Sequence, residues 1–171
     1  MTILSSGEAI GRLRADRDIL LARVEGLTEE RLGSEYLVDS RPLGDFCRSL
    51  RDLVAHVLMW DEINLAVLAQ AAAGRDHWSL DPRWEDPAVG RSLNIGGVEA
   101  GRHLSASLLL HRFGAVRDAI LDDLGRVGEE AWEGVGALAQ RVWTVPGNPA
   151  YWHAAIHLGA VPPAGSRPRV S

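Results

Sequence analysis

The longest stretch with helical apolar periodicity is residues 48–74, which read RSLRDLVAHVLMWDEINLAVLAQAAAG. Five of its residues recur at i, i+3, i+4, i+7 and i+11 spacing and so share one helical face, namely Leu53, His56, Val57, Trp60 and Asn64. Because this face is mainly apolar, the His56 imidazole should point into the molecule. Gly74 suits the position beyond the last turn, where a positive φ costs glycine nothing. The stretch therefore predicts a helix over residues 47–73 with an inward-facing histidine.

Three further segments combine helical periodicity with start or stop signals. Ser5 followed by Glu8 has the spacing of a capping box, and Asn148 before Pro149 has the pattern of an N-cap followed by a first helical residue. The four predicted helices span residues 5–26, 47–73, 98–124 and 149–160. Residues on their inner stripes should form one core, namely Leu53, Val57, Leu109, Phe113, Val116 and Ile156.

Proline and glycine interrupt the connections between these helices. We expect loops over residues 32–45 and 75–97, and at best a short helical turn within residues 126–147. No strand periodicity competes with the helices. The chain is therefore predicted to be an all-α, four-helix bundle with a long crossover between its second and third helices. It should form a single domain over residues 1–161, with a disordered tail at residues 162–171.

The composition of the 171 residues is that of an ordinary globular domain. Apolar residues make up 46% and charged residues 24%, which suits one domain with a sizeable core. The net charge of −5 argues against a surface that binds phosphates. The first twenty residues are charged and contain no continuous apolar segment of the kind found in signal peptides, and no run of 18 apolar residues occurs. We therefore expect a soluble cytoplasmic protein without a nucleic-acid or membrane partner.

The single cysteine, Cys47, restricts the candidate metal ligands to histidine and carboxylate. It is also consistent with a reducing compartment, because no intrachain disulfide can form. Cys47 could act as a nucleophile, but a lone thiol at a helix start is more often simply partly buried. We therefore place the candidate chemistry on histidine.

Two histidines of the last predicted helix, His153 and His157, have i, i+4 spacing and lie on one face within reach of one ion. With the inward His56 they would supply three neutral ligands and leave one coordination position open, as in a catalytic zinc site. Simpler interpretations remain, because a lone inward histidine is often a hydrogen-bonded core residue and an i, i+4 pair can arise by chance. His77 is the alternative ligand if one of the three is wrong.

A neighbouring general base is not obvious from the sequence. No glutamate follows His153, so the HExxH pattern of zinc proteases is absent. Proton transfer would then fall to the metal-bound water or thiolate, or to a carboxylate near His56 such as Asp61 or Glu62. Both carboxylates could instead simply face solvent. Zinc is the first candidate for an all-imidazole site, with nickel and iron as alternatives.

Residues 49–62, SLRDLVAHVLMWDE, resemble the signature helix of the DinB-like metal-binding helical bundles. The pattern of that family is a histidine after an SxxDxxxH-like run and an HxxxH pair in the last bundle helix, and His56, His153 and His157 match it. The resemblance covers about residues 5–160. The SLN run ending at Asn94 and the tryptophan before the last helix, Trp143, are similar to the ClbS/DfsB branch of small-molecule resistance proteins.

This resemblance implies a metal held by the three histidines and a metal-dependent hydrolase or thiol transferase acting on an electrophilic small molecule. Detoxification, self-resistance or biosynthetic tailoring would be its role, and a low-molecular-weight thiol could be a second cofactor, since the family includes bacillithiol- and mycothiol-dependent enzymes. The alternative is a non-catalytic protein that sequesters a hydrophobic compound in the bundle. A third hypothesis is a structural homodimer without a small-molecule partner.

The tryptophan content bears on these alternatives. Six tryptophans against two phenylalanines is an unusual ratio, although tryptophan in a helical bundle more often fills the core than contacts a ligand. If a substrate pocket exists, its candidate walls are Trp60, Trp78, Trp84, Asn94, Trp143 and Trp152.

Overall fold

A computed structural model describes residues 2–36 and 46–162 of the chain. Within these ranges the protein is all-α, as predicted, and an isolated antiparallel bridge between Glu35 and Ser49 is the only β-type pairing. The described helices are α1 (Ser6–Val24), α2 (Glu29–Gly33), α3 (Leu50–Ala72), α4 (Pro87–Arg102), α5 (Ala106–Gly125), α6 (Glu129–Val142) and α7 (His153–His157). Two short 3-10 turns, Trp78–Leu80 and Pro82–Glu85, connect α3 to α4.

Local capping explains where the long helices begin. The Ser5 side chain accepts the N–H of Glu8 and the Glu8 carboxylate accepts the N–H of Ser5, so the predicted capping box starts α1. The Ser49 hydroxyl accepts the N–H of Asp52 at the start of α3. The first and second predicted helices therefore agree with the structure to within a few residues.

The predicted loop over residues 75–97 is wrong, because α4 occupies much of it. Two glycines of α4 are positions of close helix contact: a Cβ added at Gly97 would overlap the Met59 side chain of α3, and one added at Gly101 would overlap the Cβ of Ala55. Glycine therefore lets α4 approach α3 closely instead of ending a helix. The start signal that the prediction missed is an aspartate N-cap followed by proline, at residues 86–87.

The structure also differs from the prediction for the third helix and for the segment that follows it. The helix predicted over residues 98–124 is divided, because Ser105 accepts the N–H of Leu108 and caps a new helix, α5. The segment predicted to be irregular over residues 126–147 contains the 14-residue helix α6. Its Gly136 again marks close contact, since a Cβ there would overlap the ring of Trp132.

The last helix is shorter than predicted. Asn148 and Pro149 do not start it, because the chain turns through Tyr151, which has a left-handed φ of 66°, and α7 begins only at His153. Of the predicted loop over residues 32–45, Leu32 and Gly33 belong to α2. Residues 37–45 of that loop and 163–171 of the predicted tail lie outside the described residues.

The core forms where α3 packs against α4, α5, α6 and α7. The helix α1 packs against α5, α6 and α7. Four of the predicted core residues are fully buried in one cluster, namely Leu53, Val57, Leu109 and Phe113. Ile156 is buried in a separate cluster with Trp152, and Val116 is only partly buried. No helix in the described ranges is both long enough and apolar enough to cross a membrane.

Candidate metal centre

Three histidines from two helices meet inside the fold. His56 lies on α3 and His153 and His157 lie on α7, and each is less than a tenth exposed to solvent. The Nε2 atoms of His56 and His153 are 3.0 Å apart. Each ring offers one candidate ligand nitrogen, and these three nitrogens all lie within 4.8 Å of one another. Sequence reasoning therefore identified the three residues that the fold brings together.

The rings face one another at an angle and are not stacked. Their centroids are 4.9 to 5.2 Å apart, and the three ring planes are inclined to one another by 62 to 74°. Stacked parallel rings would turn their nitrogen lone pairs away from a shared point, whereas inclined rings can direct them toward one. The arrangement therefore suits three ligands on a single ion.

Burial keeps the imidazoles of His56 and His153 neutral. Desolvation, together with the neighbouring His157, lowers the pKa of His56 to about 3. Desolvation also lowers the pKa of His153 well below its ordinary value, with smaller contributions from His56, His157 and Arg117. A neutral imidazole carries the lone pair that a metal needs, so both rings are in the ligand form at neutral pH.

The contact between His56 and His153 fits two arrangements, a shared metal ion and a hydrogen bond between neutral rings, and both use Nε2. Nδ1 of His56 is buried and has no hydrogen-bond partner among the described residues. A buried nitrogen without a partner costs about 1–3 kcal/mol and often marks a functional site or an ion. Two nitrogens bound tetrahedrally at about 2.0–2.1 Å would lie about 3.3 Å apart, close to the 3.0 Å observed between His56 and His153.

Beside the histidines lies a buried charge triad made of Asp16, Arg117 and Asp61, whose three side chains are all fully buried. Arg117 Nε donates to Asp61 Oδ2 at 2.5 Å, and Arg117 Nη2 lies 3.0 Å from Asp16 Oδ2. Burial raises the pKa of both carboxyls, and the guanidinium opposes that rise. The triad links α5 to both α1 and α3 through buried ion pairs.

Asp16 also reaches the helix that carries two of the histidines. Its Oδ2 accepts the N–H of Ala154 at 3.2 Å and its Oδ1 accepts the N–H of Ala155 at 2.8 Å. Sequence reasoning missed both Asp16 and Arg117. The available signal was position, because Asp16 stands three residues after the buried Leu13 and Arg117 four residues after the buried Phe113, where apolar residues are expected.

Asp61, which we predicted to assist proton transfer, is buried and does not face solvent. Its Oδ2 bonds to Arg117, and its Oδ1 accepts the indole N–H of Trp143 at 3.1 Å. These bonds favour a structural role, and a catalytic role for Asp61 stays a prediction. Glu62 is partly exposed and pairs with Arg112.

The residues predicted to line a substrate pocket, and the alternative ligand His77, lie in different parts of the fold. Trp60 donates its indole N–H to Asn94 Oδ1 at 2.8 Å, joining α3 to α4, and Trp78 contacts the edge of Trp84 at 4.7 Å between ring centroids. Trp143 and Trp152 are buried within hydrophobic clusters. That these residues line a substrate pocket stays a prediction. His77 is buried and bonded to Ser79 and is not part of the three-histidine group.

Cys47 is buried, as the commoner interpretation of a lone thiol predicts. Burial, together with Asp52, raises the pKa of this thiol to about 12. A thiol with such a pKa is protonated at neutral pH and is a poor nucleophile. The histidine cluster is therefore the better candidate for chemistry.

The fold and site define a class: an all-helical protein with a buried three-histidine cluster that could hold a metal ion. In comparisons with known proteins, no family model, no curated protein and no solved structure matches this chain. The resemblance to the DinB-like bundles therefore rests on the residues themselves.

Proposed function

We propose that this protein is a metal-dependent enzyme in which His56, His153 and His157 hold one divalent metal ion. The observation that carries the proposal is the meeting of three buried imidazoles, from helices far apart in the chain, within 4.8 Å of one another. Neutral histidine suits zinc first, with nickel and iron as alternatives. When bound, such a metal acts as a Lewis acid that lowers the pKa of a coordinated water or thiol.

The donor set supports a catalytic rather than a purely structural ion. All three ligands are neutral, so none of them cancels the double positive charge of the metal. Three protein ligands also leave a coordination position for a small molecule, whereas structural zinc sites commonly use four. The reaction that fits is hydrolysis of an electrophilic small molecule or transfer of a low-molecular-weight thiol to it.

We include the DinB-type four-helix bundle in this proposal. Two features support it: the SxxDxxxH run lies on a long, buried helix, α3, and the HxxxH pair lies on the last described helix, α7. The long connection between the second and third helices of that bundle type would here contain α4. A role in detoxification, self-resistance or biosynthetic tailoring follows from the same resemblance.

One observation favours the alternative, a protein that sequesters a hydrophobic compound. A largely apolar cleft of about 500 Å³ lies between the C-terminal ends of α3 and α5 and the helix α6, lined by Leu68, Ala72, Leu124, Val127, Val135 and Leu138. Its volume is within the range of small-molecule sites. None of the predicted tryptophan walls lines it, so a ligand there would bind by aliphatic contact.

Metal content separates the two functions. The protein, purified without a histidine tag and without chelators, is compared by elemental analysis with the His157→Ala variant and with His111→Ala, which removes an exposed histidine of α5. We expect about one metal ion per chain in the wild type and His111→Ala, and none in His157→Ala. No metal in the wild type, or equal metal in all three proteins, would reject the enzyme proposal in favour of sequestration.

A further inference from the structure

We infer that Asp16 is a positioning residue of the metal centre: its carboxylate holds the turn that carries His153 and His157. This inference rests on the proposed function, because it assigns Asp16 a role toward the metal that these histidines would bind. It goes further by naming a residue of α1, a helix that contributes no histidine to the cluster.

The helix α7 has little to hold it in place by itself. It has only five residues, and its N-cap, Trp152, forms no side-chain capping bond. Isolated helices of this length are unstable, and their first N–H groups need an acceptor from elsewhere. The second and third residues of α7 are Ala154 and Ala155, the positions whose N–H groups an N-cap side chain ordinarily accepts.

Asp16 supplies that acceptor from 138 residues earlier in the chain. Its two carboxylate oxygens accept the N–H groups of Ala154 and Ala155, at 3.2 and 2.8 Å. Both alanines lie between the two histidines on the same turn. Two bonds from one rigid carboxylate fix both the position and the rotation of this turn, and the rotation decides where both imidazoles point.

Asp16 is itself held in place by the other two members of the buried triad, Arg117 and Asp61. Nη2 of the Arg117 guanidinium lies 3.0 Å from Asp16 Oδ2, and Nε of the same group donates to Asp61. With both carboxylates ionised, the triad carries a net charge of −1, which would also favour a cation in the neighbouring cluster of neutral histidines. Asp16 can therefore act in two ways, through its bonds to α7 and through its charge, and an experiment must separate them.

The matched pair Asp16→Asn and Asp61→Asn separates these effects. Each substitution removes one negative charge from the triad and keeps the shape of the side chain, but only Asp16 bonds to α7. In Asp16→Asn the amide nitrogen is a donor and cannot accept an N–H, so at least one of the two bonds is lost. We expect the zinc affinity of Asp16→Asn to fall by about 10–100-fold, the range for residues that orient metal ligands, and that of Asp61→Asn to fall less.

Zinc affinity is measured by competition with a chromogenic chelator, and the absorption spectrum of bound cobalt(II) reports ligand geometry. We expect a changed cobalt spectrum in Asp16→Asn and a wild-type spectrum in Asp61→Asn. Wild-type zinc affinity in Asp16→Asn would overturn the inference while leaving the proposed function intact. Equal losses in both variants would also overturn it, because charge alone would then explain them. Failure of the wild type to bind zinc would reject the proposed function instead.

If Asp16→Asn does not fold, the triple variant Asp16→Asn, Asp61→Asn, Arg117→Met takes its place. It leaves no buried charge without a partner, and replacing a whole buried ion network is often tolerated where removing one member is not. Circular dichroism establishes that it is helical. A lowered zinc affinity and a changed cobalt spectrum are expected, and wild-type values for both would reject the role of Asp16.

Discussion

The Nε2 atoms of His56 and His153 lie 3.0 Å apart, although 97 residues separate these histidines in the chain. His56 is placed by the inward face of the long helix α3, and His153 by a five-residue helix that Asp16 of α1 caps from outside. The candidate site thus combines one histidine on a long helix with two histidines on a short one. Properties that depend on the metal should therefore respond both to the ligands and to what holds α7.

Metal should stabilise the native protein measurably. A ligand that binds only the folded state adds about 2.7 kcal/mol when its free concentration is 100 times its Kd. For a chain of this size that corresponds to a rise in Tm of roughly 5–10 °C. We expect zinc to raise the Tm of chelator-treated wild-type protein by this amount, measured by circular dichroism. The variant His56→Asn should show no rise, and a similar rise in that variant would place the metal elsewhere.

The metal-free protein should lose stability as the pH falls below about 6.5. The pKa values of His56 and His153 are lowered in the folded state, so below the ordinary pKa of histidine the unfolded chain binds protons that the folded chain does not. The contribution of these two histidines to the free energy of unfolding is fully present above pH 6.5. For His56, the contribution to the free energy of unfolding is reduced by about 2 kcal/mol at pH 5, given 1.36 kcal/mol per pH unit; the contribution of His153 changes in the same direction.

This loss is measured as the difference between wild type and His56→Asn in urea unfolding at pH 7.5 and pH 5. The comparison is needed because burial raises the pKa of Asp16 and Asp61, which acts in the opposite direction. Between pH 7.5 and pH 5, the free energy of unfolding of the wild type should fall by about 2 kcal/mol more than that of His56→Asn. Identical pH dependence in the two proteins would mean that His56 is not buried in its neutral form.

Phe113 should be a major contributor to the free energy of unfolding. It is fully buried in the largest core cluster, beside the Arg117 guanidinium at 5.7 Å from its ring centroid. Phe113→Ala should therefore cost about 3–5 kcal/mol in urea unfolding, the range for deleting a buried aromatic ring. Leu108→Ala, at a position on the same helix that is 45% exposed, is the control and should cost far less. Equal losses would require a different rotation of α5.

Replacing either of two glycines by alanine should change the stability of the protein, in opposite directions. In Gly101→Ala the new Cβ would overlap the Cβ of Ala55, and we expect a loss of about 1–3 kcal/mol from overpacking between α4 and α3. In Gly114→Ala the new Cβ meets nothing within 4 Å, so the better helix propensity of alanine should add roughly 1 kcal/mol. Thermal unfolding of both variants checks the pair. Stabilisation by Gly101→Ala would contradict the close contact of α3 and α4.

Some features of this protein follow from sequence because their cause is local. The helical period places His56 among buried residues of α3, and the Ser5 and Glu8 pair starts α1, since capping and periodicity involve residues within a few positions of each other. The i, i+4 spacing of His153 and His157 places them one turn apart even though the helix itself is much shorter than predicted.

Other features could not be predicted because the same residue has opposite meanings in different surroundings. Gly97 falls in the segment predicted to be a loop, yet it lies within α4 because α3 passes too close there for a side chain. Asp16 and Arg117 occupy inward positions of their helices, but only the fold shows that each has a partner of opposite charge on another helix, which allows both to be fully buried.

The sequence by itself determined the helical class of this protein and supplied the three histidines as a hypothesis, through periodicity, spacing and family resemblance. Only the tertiary structure decided how closely the histidines meet, which nitrogens face one another and which carboxylate holds α7. Those outcomes depend on packing between segments about a hundred residues apart, and local propensity carries no information about such distances.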